Sequence, residues 1–138
     1  MTKSQIRLCE RKYSKSKSTY EKITMMAFLF NGKSLISEGI NSEKTDAYQS
    51  KFRKQLIQNE NYIDKRHAEC DCLKWLNDKK DIDTSKLTLF IMSKRKDGAF
   101  RNSKPCPVCR KIIEKIGIGE ICYISNGRFI TEKLLNLK

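Results

Sequence analysis

Apolar positions mark out the elements of this chain before any chemistry is considered. Ile6, Cys9 and Tyr13 recur at spacings of three and four among charged neighbours, which predicts an amphipathic helix over residues 3–14. Residues 14–19 alternate serine and lysine and read as a flexible connection. A compact apolar run over 23–30 predicts a buried strand, Asn31-Gly32 a hairpin turn, and 33–40 the returning strand, which ends at Gly39-Ile40-Asn41. The polar, lysine-rich stretch 42–66 mixes loop with a short helix around 48–57. Residues 67–77 then form a helix, with Leu73, Trp75 and Leu76 for packing and Cys70 and Cys72 as small core residues.

Residues 78–85 read as a polar turn and 87–92 as a third strand. The strand delivers a charged loop, 94–104, to a second helix over 106–116, with Ile112, Ile113 and Ile116 on its core face and Gly117 as its stop. A fourth strand follows over 120–124, Asn126-Gly127 turns the chain, and 128–137 closes it as a strand or short helix. This order predicts an α/β chain, a mixed sheet with helices on its faces. Two strand–loop–helix units bring their helix N-termini to one sheet edge, where open α/β sheets hold ligands. At 138 residues the expectation is one domain, 1–138.

Composition narrows the setting. No apolar run approaches the roughly 20 residues of a membrane span, and the Lys-rich start lacks the apolar core of a signal peptide, so a cytoplasmic chain without membrane contact is expected. Six cysteines in such a chain are expected to stay reduced. The net charge of +13 points toward polyanions, but lysine outnumbers arginine more than two to one, as an AT-rich coding sequence also produces. The charge alone therefore leaves nucleic acid, a small phosphorylated substrate and a merely solvated surface open.

Two short runs carry the candidate chemistry, His67-Ala68-Glu69 and Pro105-Cys106-Pro107-Val108-Cys109. His67, the chain's one histidine, supplies an imidazole, and Cys106 and Cys109 supply thiols. Three N/S ligands are the complement of a catalytic zinc, whereas structural zinc takes four. A Cys-x-x-Cys at a helix start puts both sulfurs on one face and favours the thiolate, and Pro105 suits that start. Bound Zn²⁺ would acidify its water to a pKa of roughly 7. Glu69 is placed to take that proton. Ala68, between them, is small and its N–H at a first helical turn has no intrahelical partner. The competing reading is a closed structural zinc with Cys70, three after His67, as a fourth ligand. It leaves Glu69 without a role. The 94–104 loop carries five cations beside this site, and Arg101 is the candidate among them for a substrate phosphate.

These pieces, with Asn31-Gly32-Lys33, Gly39-Ile40-Asn41, Lys44-Thr45, Asp97-Gly98, Ser103-Lys104, Gly117-Ile118 and Tyr123-Ile124-Ser125, resemble the cytidine and deoxycytidylate deaminase superfamily over nearly the whole chain. The nearest likeness is to compact cytosine-deaminase-like proteins of microbes and viruses. The His-x-Glu and Pro-Cys-x-x-Cys pattern is that of zinc deaminases. The resemblance implies a three-layer α/β/α fold with a mixed sheet of about five strands. It implies Zn²⁺ on His67, Cys106 and Cys109, proton transfer by Glu69, and a base held by the Ala68 N–H. Asn41 would contact sugar or base, and the Lys104 carbonyl would meet the exocyclic amine; relatives often carry Ser or Thr at the latter position. The implied reaction is hydrolysis of a cytosine nucleoside or nucleotide to its uracil form with release of ammonia. A polynucleotide editor on single-stranded DNA or RNA, or on tRNA adenosine, is the alternative, and a zinc-stabilised binding module without chemistry a third. A pocket lined by a neighbouring subunit, in a homo-oligomer, would favour the small-molecule enzyme.

Overall fold

The computed structural model describes residues 1–16, 23–42 and 67–134. The expected helix around 48–57, Lys44-Thr45, residues 17–19 of the Ser/Lys stretch and residues 135–137 lie outside the described residues. Helix α1 (Lys3–Ser14) opens with a capping box, Thr2 accepting from Gln5 N while the Gln5 side chain accepts from Thr2 N. Five strands follow: β1 (Met25–Asn31), β2 (Ser34–Ile40), β3 (Leu87–Ser93), β4 (Glu120–Ser125) and β5 (Arg128–Lys133). Helix α2 (Ala68–Leu73) precedes β3, and helix α3 (Pro107–Ile116) joins β3 to β4.

The strands form one sheet in the order β2-β1-β3-β4-β5. Only β3 and β4 run parallel, with α3 as their crossover; the other neighbours are antiparallel. The three central strands are the three apolar runs, and their period-two alternation fills both faces of the sheet. Ala27, Leu29, Leu89, Ile91, Ile121 and Tyr123 pack on one face with Ala68, Leu73 and Ile113 from α2 and α3. Met26, Phe28, Phe30, Phe90, Met92 and Ile124 pack on the other with Cys9 and Tyr13 of α1. The outer strands β2 and β5 intersperse polar residues, as suits edges that meet solvent.

Three local readings of the sequence change. Asn31 belongs to β1 and pairs with Ser34, so the hairpin turn is Gly32-Lys33, with the positive φ at Gly32. A two-residue turn with positive φ at its first central position follows the right-handed strand twist, and glycine takes that conformation without penalty. The predicted helix 67–77 is α-helical only to Leu73 and continues as 3-10 helix through Lys74–Asp78. The tighter winding turns Trp75 outward, 37% exposed beneath the Lys79 ammonium, while Leu76 stays in the core. The closing segment is a strand, because Arg128–Lys133 completes the sheet beside β4 across the Asn126-Gly127 turn, both residues of which have positive φ.

Register places the functional edge. Met25 lies opposite Ser93 and Met26 opposite Ile40, so the start of β1 and the ends of β2 and β3 share one side of the sheet. The parallel β4 ends, and β5 begins, on that same side.

Candidate metal centre

His67 and Cys106 occupy equivalent positions: each is the residue capping the N-terminus of a helix, His67 for α2 and Cys106 for α3. His67 therefore lies just ahead of its helix, not within it as the pattern suggested. Glu69 follows two residues into α2, and Cys109 three residues beyond the cap of α3, within one turn of their helix starts. The imidazole Nδ1 is 3.1 Å from Cys109 Sγ and 3.6 Å from Cys106 Sγ, and all three donor atoms lie within 4.8 Å of one another. In a tetrahedral zinc shell, bonds of about 2.0–2.1 Å to N and 2.3 Å to S would separate N from S by roughly 3.6 Å. The group has the composition and spacing to hold a divalent metal.

Helix α2 is set on the sheet by contacts that fix this geometry. Gly39 in β2 lies so close beneath it that a Cβ would stand 2.5 Å from Ala68 O and closer still to Cys72 N. The Asp71 carboxylate accepts from Ile40 N at 3.0 Å, and Ser37 Oγ donates to Cys72 O at 2.8 Å. On the other arm, Ser103 holds the loop before Pro105. Its Oγ donates to Ile91 O at 2.7 Å and accepts from Ile124 N at 2.9 Å, while its own N–H donates to Ile124 O. Sequence reasoning gave Gly39, Asp71 and Ser103 no positioning role. Gly39 and Ser103 stood within recognised pieces; Asp71 carried no signal beyond its place in the first turn of a helix.

Glu69 is 2% exposed, and among the described residues its Oε1 has no hydrogen-bond partner. Burial pushes its carboxyl pKa up, partly opposed by the charge of His67. The two cysteines divide a proton. A hydrogen bond from Cys109, against burial and aided by His67 and the Cys109 N–H, brings Cys106 down to about 4. Cys109 is held well up as a donor by its bonds to Cys106 and Cys70, and by burial. For His67, burial lowers the pKa, but the Cys106 hydrogen bond and the charges of Glu69 and Cys106 outweigh it and the net shift is upward. The arrangement thus holds a thiolate, an imidazole facing it through Nδ1, a second thiol whose proton a bound cation would displace, and a buried carboxyl beside them.

Cys70 is fully buried with Val108, Cys109 and Ile112, and its sulfur is not among the donor atoms that converge. Ala68, also fully buried, is the first residue of α2. Asn41 lies at the shared edge with its carboxamide on the start of β1: Oδ1 accepts from Met25 N and Nδ2 donates to Ile23 O. Lys104 is exposed between buried Ser103 and Pro105. Arg101 lines a cleft at the same edge with Met25, Ser93 and Asn102. Behind α3, Arg110 and Tyr123 both donate to Glu132 Oε2, at 3.0 and 2.7 Å, tying the metal-group helix to β4 and β5.

No protein-family model matches this sequence, and no curated protein matches it. Solved structures do. The cytidine deaminase of Burkholderia pseudomallei is similar over 97% of this chain and 94% of its own, at 16% identity and a TM-score of 0.62. The dCMP deaminase of the cyanophage S-TIM5, in its apo form, is similar over 88% of this chain and 82% of its own, at 19% identity and a TM-score of 0.52. The five-stranded mixed sheet, with α1 on one face and α2 and α3 on the other, is the cytidine-deaminase-like fold.

Proposed function

We propose that this chain is a zinc-dependent hydrolytic deaminase, converting a cytosine nucleoside or nucleotide to its uracil form with release of ammonia. The observation that carries the reading is the convergence of His67, Cys106 and Cys109 beside a buried Glu69 whose Oε1 bonds nothing among the described residues. Three N/S donors leave a fourth position of a zinc ion for water. A zinc ion held there supplies a Lewis acid that lets water attack near neutral pH.

The remaining steps belong to the protein's own groups. Glu69 takes one proton from the attacking water and passes it to the ring nitrogen, then takes the second from the hydroxyl now on C4 and passes it to the departing amine, so that cytosine and water leave as uracil and ammonia. A carboxyl whose pKa is raised by burial suits that exchange, since it holds a transferred proton more readily than a solvated carboxylate does. The Ala68 N–H meets the base, the Lys104 carbonyl accepts from the exocyclic amine, and Asn41 frames the sugar end of the pocket. The Asn41 carboxamide bonds Ile23 and Met25, so its contribution to that pocket is a fixed wall. The small-molecule likeness of both similar structures supports a nucleoside or nucleotide as the substrate.

The direct test is ammonia release by zinc-loaded protein with cytidine, deoxycytidine, CMP, dCMP, guanine, adenosine and short single strands. Release from at least one cytosine nucleoside or nucleotide is expected. Release from adenosine alone, or from single strands alone, would replace this reading with the editing alternative.

A further inference from the structure

At the functional edge a cleft of about 480 Å³ opens between the start of β1 and the 94–104 loop, walled by Ile23, Met25, Phe100 and Arg101 among others. That volume suits a small molecule or part of one. Among the described residues lining it there is no carboxylate, yet two are arginines, Arg95 and Arg101. The Arg95 charge is answered by its ion pair with Asp97. Among the described residues Arg101 has no ion pair, and its Nε is enclosed without an acceptor. Leaving a buried donor unmade is costly, and such exceptions in folded chains call for a reason.

The backbone presenting this guanidinium is fixed. Arg101 N donates to Ser93 O at 2.8 Å, and Ser103, two residues on, is bonded to β3 and β4. The neighbouring Asn102, which also lines the cleft, accepts Asn126 N through Oδ1 at 2.7 Å, so the donor it has to offer is Nδ2. Arg101 and Cys106 are five positions apart in the chain, so their Cα atoms are at most about 18 Å apart. An uncompensated guanidinium with a second donor, on a rigid support, is the composition of an oxyanion subsite. The apolar wall beside it would cover the sugar that carries the anion.

We propose that this cleft receives a phosphate ester of the substrate, with Arg101 as the residue that makes the chain prefer phosphorylated cytosine compounds to free nucleosides. The inference rests on the deaminase reading for its substrate, but its test does not. The phosphate belongs either to a nucleoside monophosphate or to the backbone of a single strand.

Zinc-loaded wild type, Arg101→Gln, Arg101→Lys and the distant control Lys15→Ala would be compared in two ways. Calorimetry measures binding of UMP and uridine; kinetics measures kcat and KM for cytidine, CMP, dCMP and a short single strand with one cytosine. Arg101→Gln is expected to weaken UMP binding and raise KM for the phosphate-bearing substrates roughly tenfold or more, the scale of one charge-assisted hydrogen bond. Uridine binding, KM for cytidine and all kcat values should stay within about twofold, and Arg101→Lys should restore part of the loss by returning the charge. An effect on CMP and dCMP identifies a terminal phosphate; an effect confined to the strand, growing as salt is lowered, identifies the backbone. Equal losses for uridine and UMP, or none for either, with no effect on strand KM, would overturn the proposal. If no compound is deaminated while UMP binding still depends on Arg101, the phosphate site stands and the deaminase reading falls. Deamination of CMP with a KM indifferent to Arg101 gives the converse.

Discussion

A buried carboxyl with one oxygen bonded to nothing is costly, and Glu69 sits in that state beside three metal-capable donors. The thiols around it differ in what they can do. Cys106 and Cys109 supply converging sulfurs, whereas Cys70 packs behind Cys109 in a small apolar cluster. Cys70→Ala is therefore expected to keep one zinc per chain, and Cys106→Ala or Cys109→Ala to lose it, as metal analysis of purified protein would show. Zinc lost with the Cys70 change would support the closed four-ligand site. Glu132 allows a prediction in pH. The Tyr123 hydrogen bond, with Arg110 beside it, holds its carboxyl below the ordinary 4.5. A depressed carboxylate stabilises the fold fully above its unfolded pKa and loses that contribution as pH falls through the folded one. Glu132→Gln should thus lower Tm at pH 7, with the gap to wild type closing below about pH 4.5. A gap that does not narrow at all as the pH falls below about 4.5 would show that the carboxylate's charge is not what ties α3 to β5.

The elements show where the chemistry gets its geometry. Ala in place of Gly39 would push a Cβ into the α2 backbone, an overpacking against atoms that cannot rotate away, and about 3 kcal/mol or more of stability should go with it. Denaturant unfolding would measure that loss. Ser103→Ala leaves Ile124 N without its acceptor and Ile91 O without one donor, so a loss of about 1–3 kcal/mol is expected, with reduced zinc affinity if the loop shifts Cys106. The element pattern was largely legible because the three buried strands are unbroken apolar runs and Gly117 stops α3 in a left-handed cap. The cysteine and histidine positions were legible because metal ligation demands particular residue types at helix starts. Trp75 was misread because a 3.6-residue period was continued into a 3-10 segment, and the hairpin was misplaced by one residue because Asn31 pairs instead of turning. The positioning roles of Gly39, Asp71 and Ser103 depend on contacts between distant segments. No local pattern encodes those.

At the scale of the molecule, the +13 charge bears on whether the substrate is a mononucleotide or a polynucleotide. Several described cations are already paired, Lys12 with Glu38 and Lys94 with Glu10 among them. A mononucleotide meets one or two cations at most, so its KM should change little with ionic strength. A polynucleotide meets many at once, and its affinity should fall steeply with salt in proportion to the phosphates neutralised. A shallow slope is expected here.

The measurement closest to the central claim compares wild type with Glu69→Gln, each loaded with zinc, for ammonia released from cytosine nucleosides and nucleotides. Both proteins should carry one zinc per chain and the same far-ultraviolet circular dichroism. Wild type should turn over, and the variant should be slower by about two to four orders of magnitude, since proton transfer depends on that carboxylate. A Glu69→Gln protein as active as wild type, or a fully zinc-loaded wild type that releases no ammonia from any of these compounds, would contradict the account.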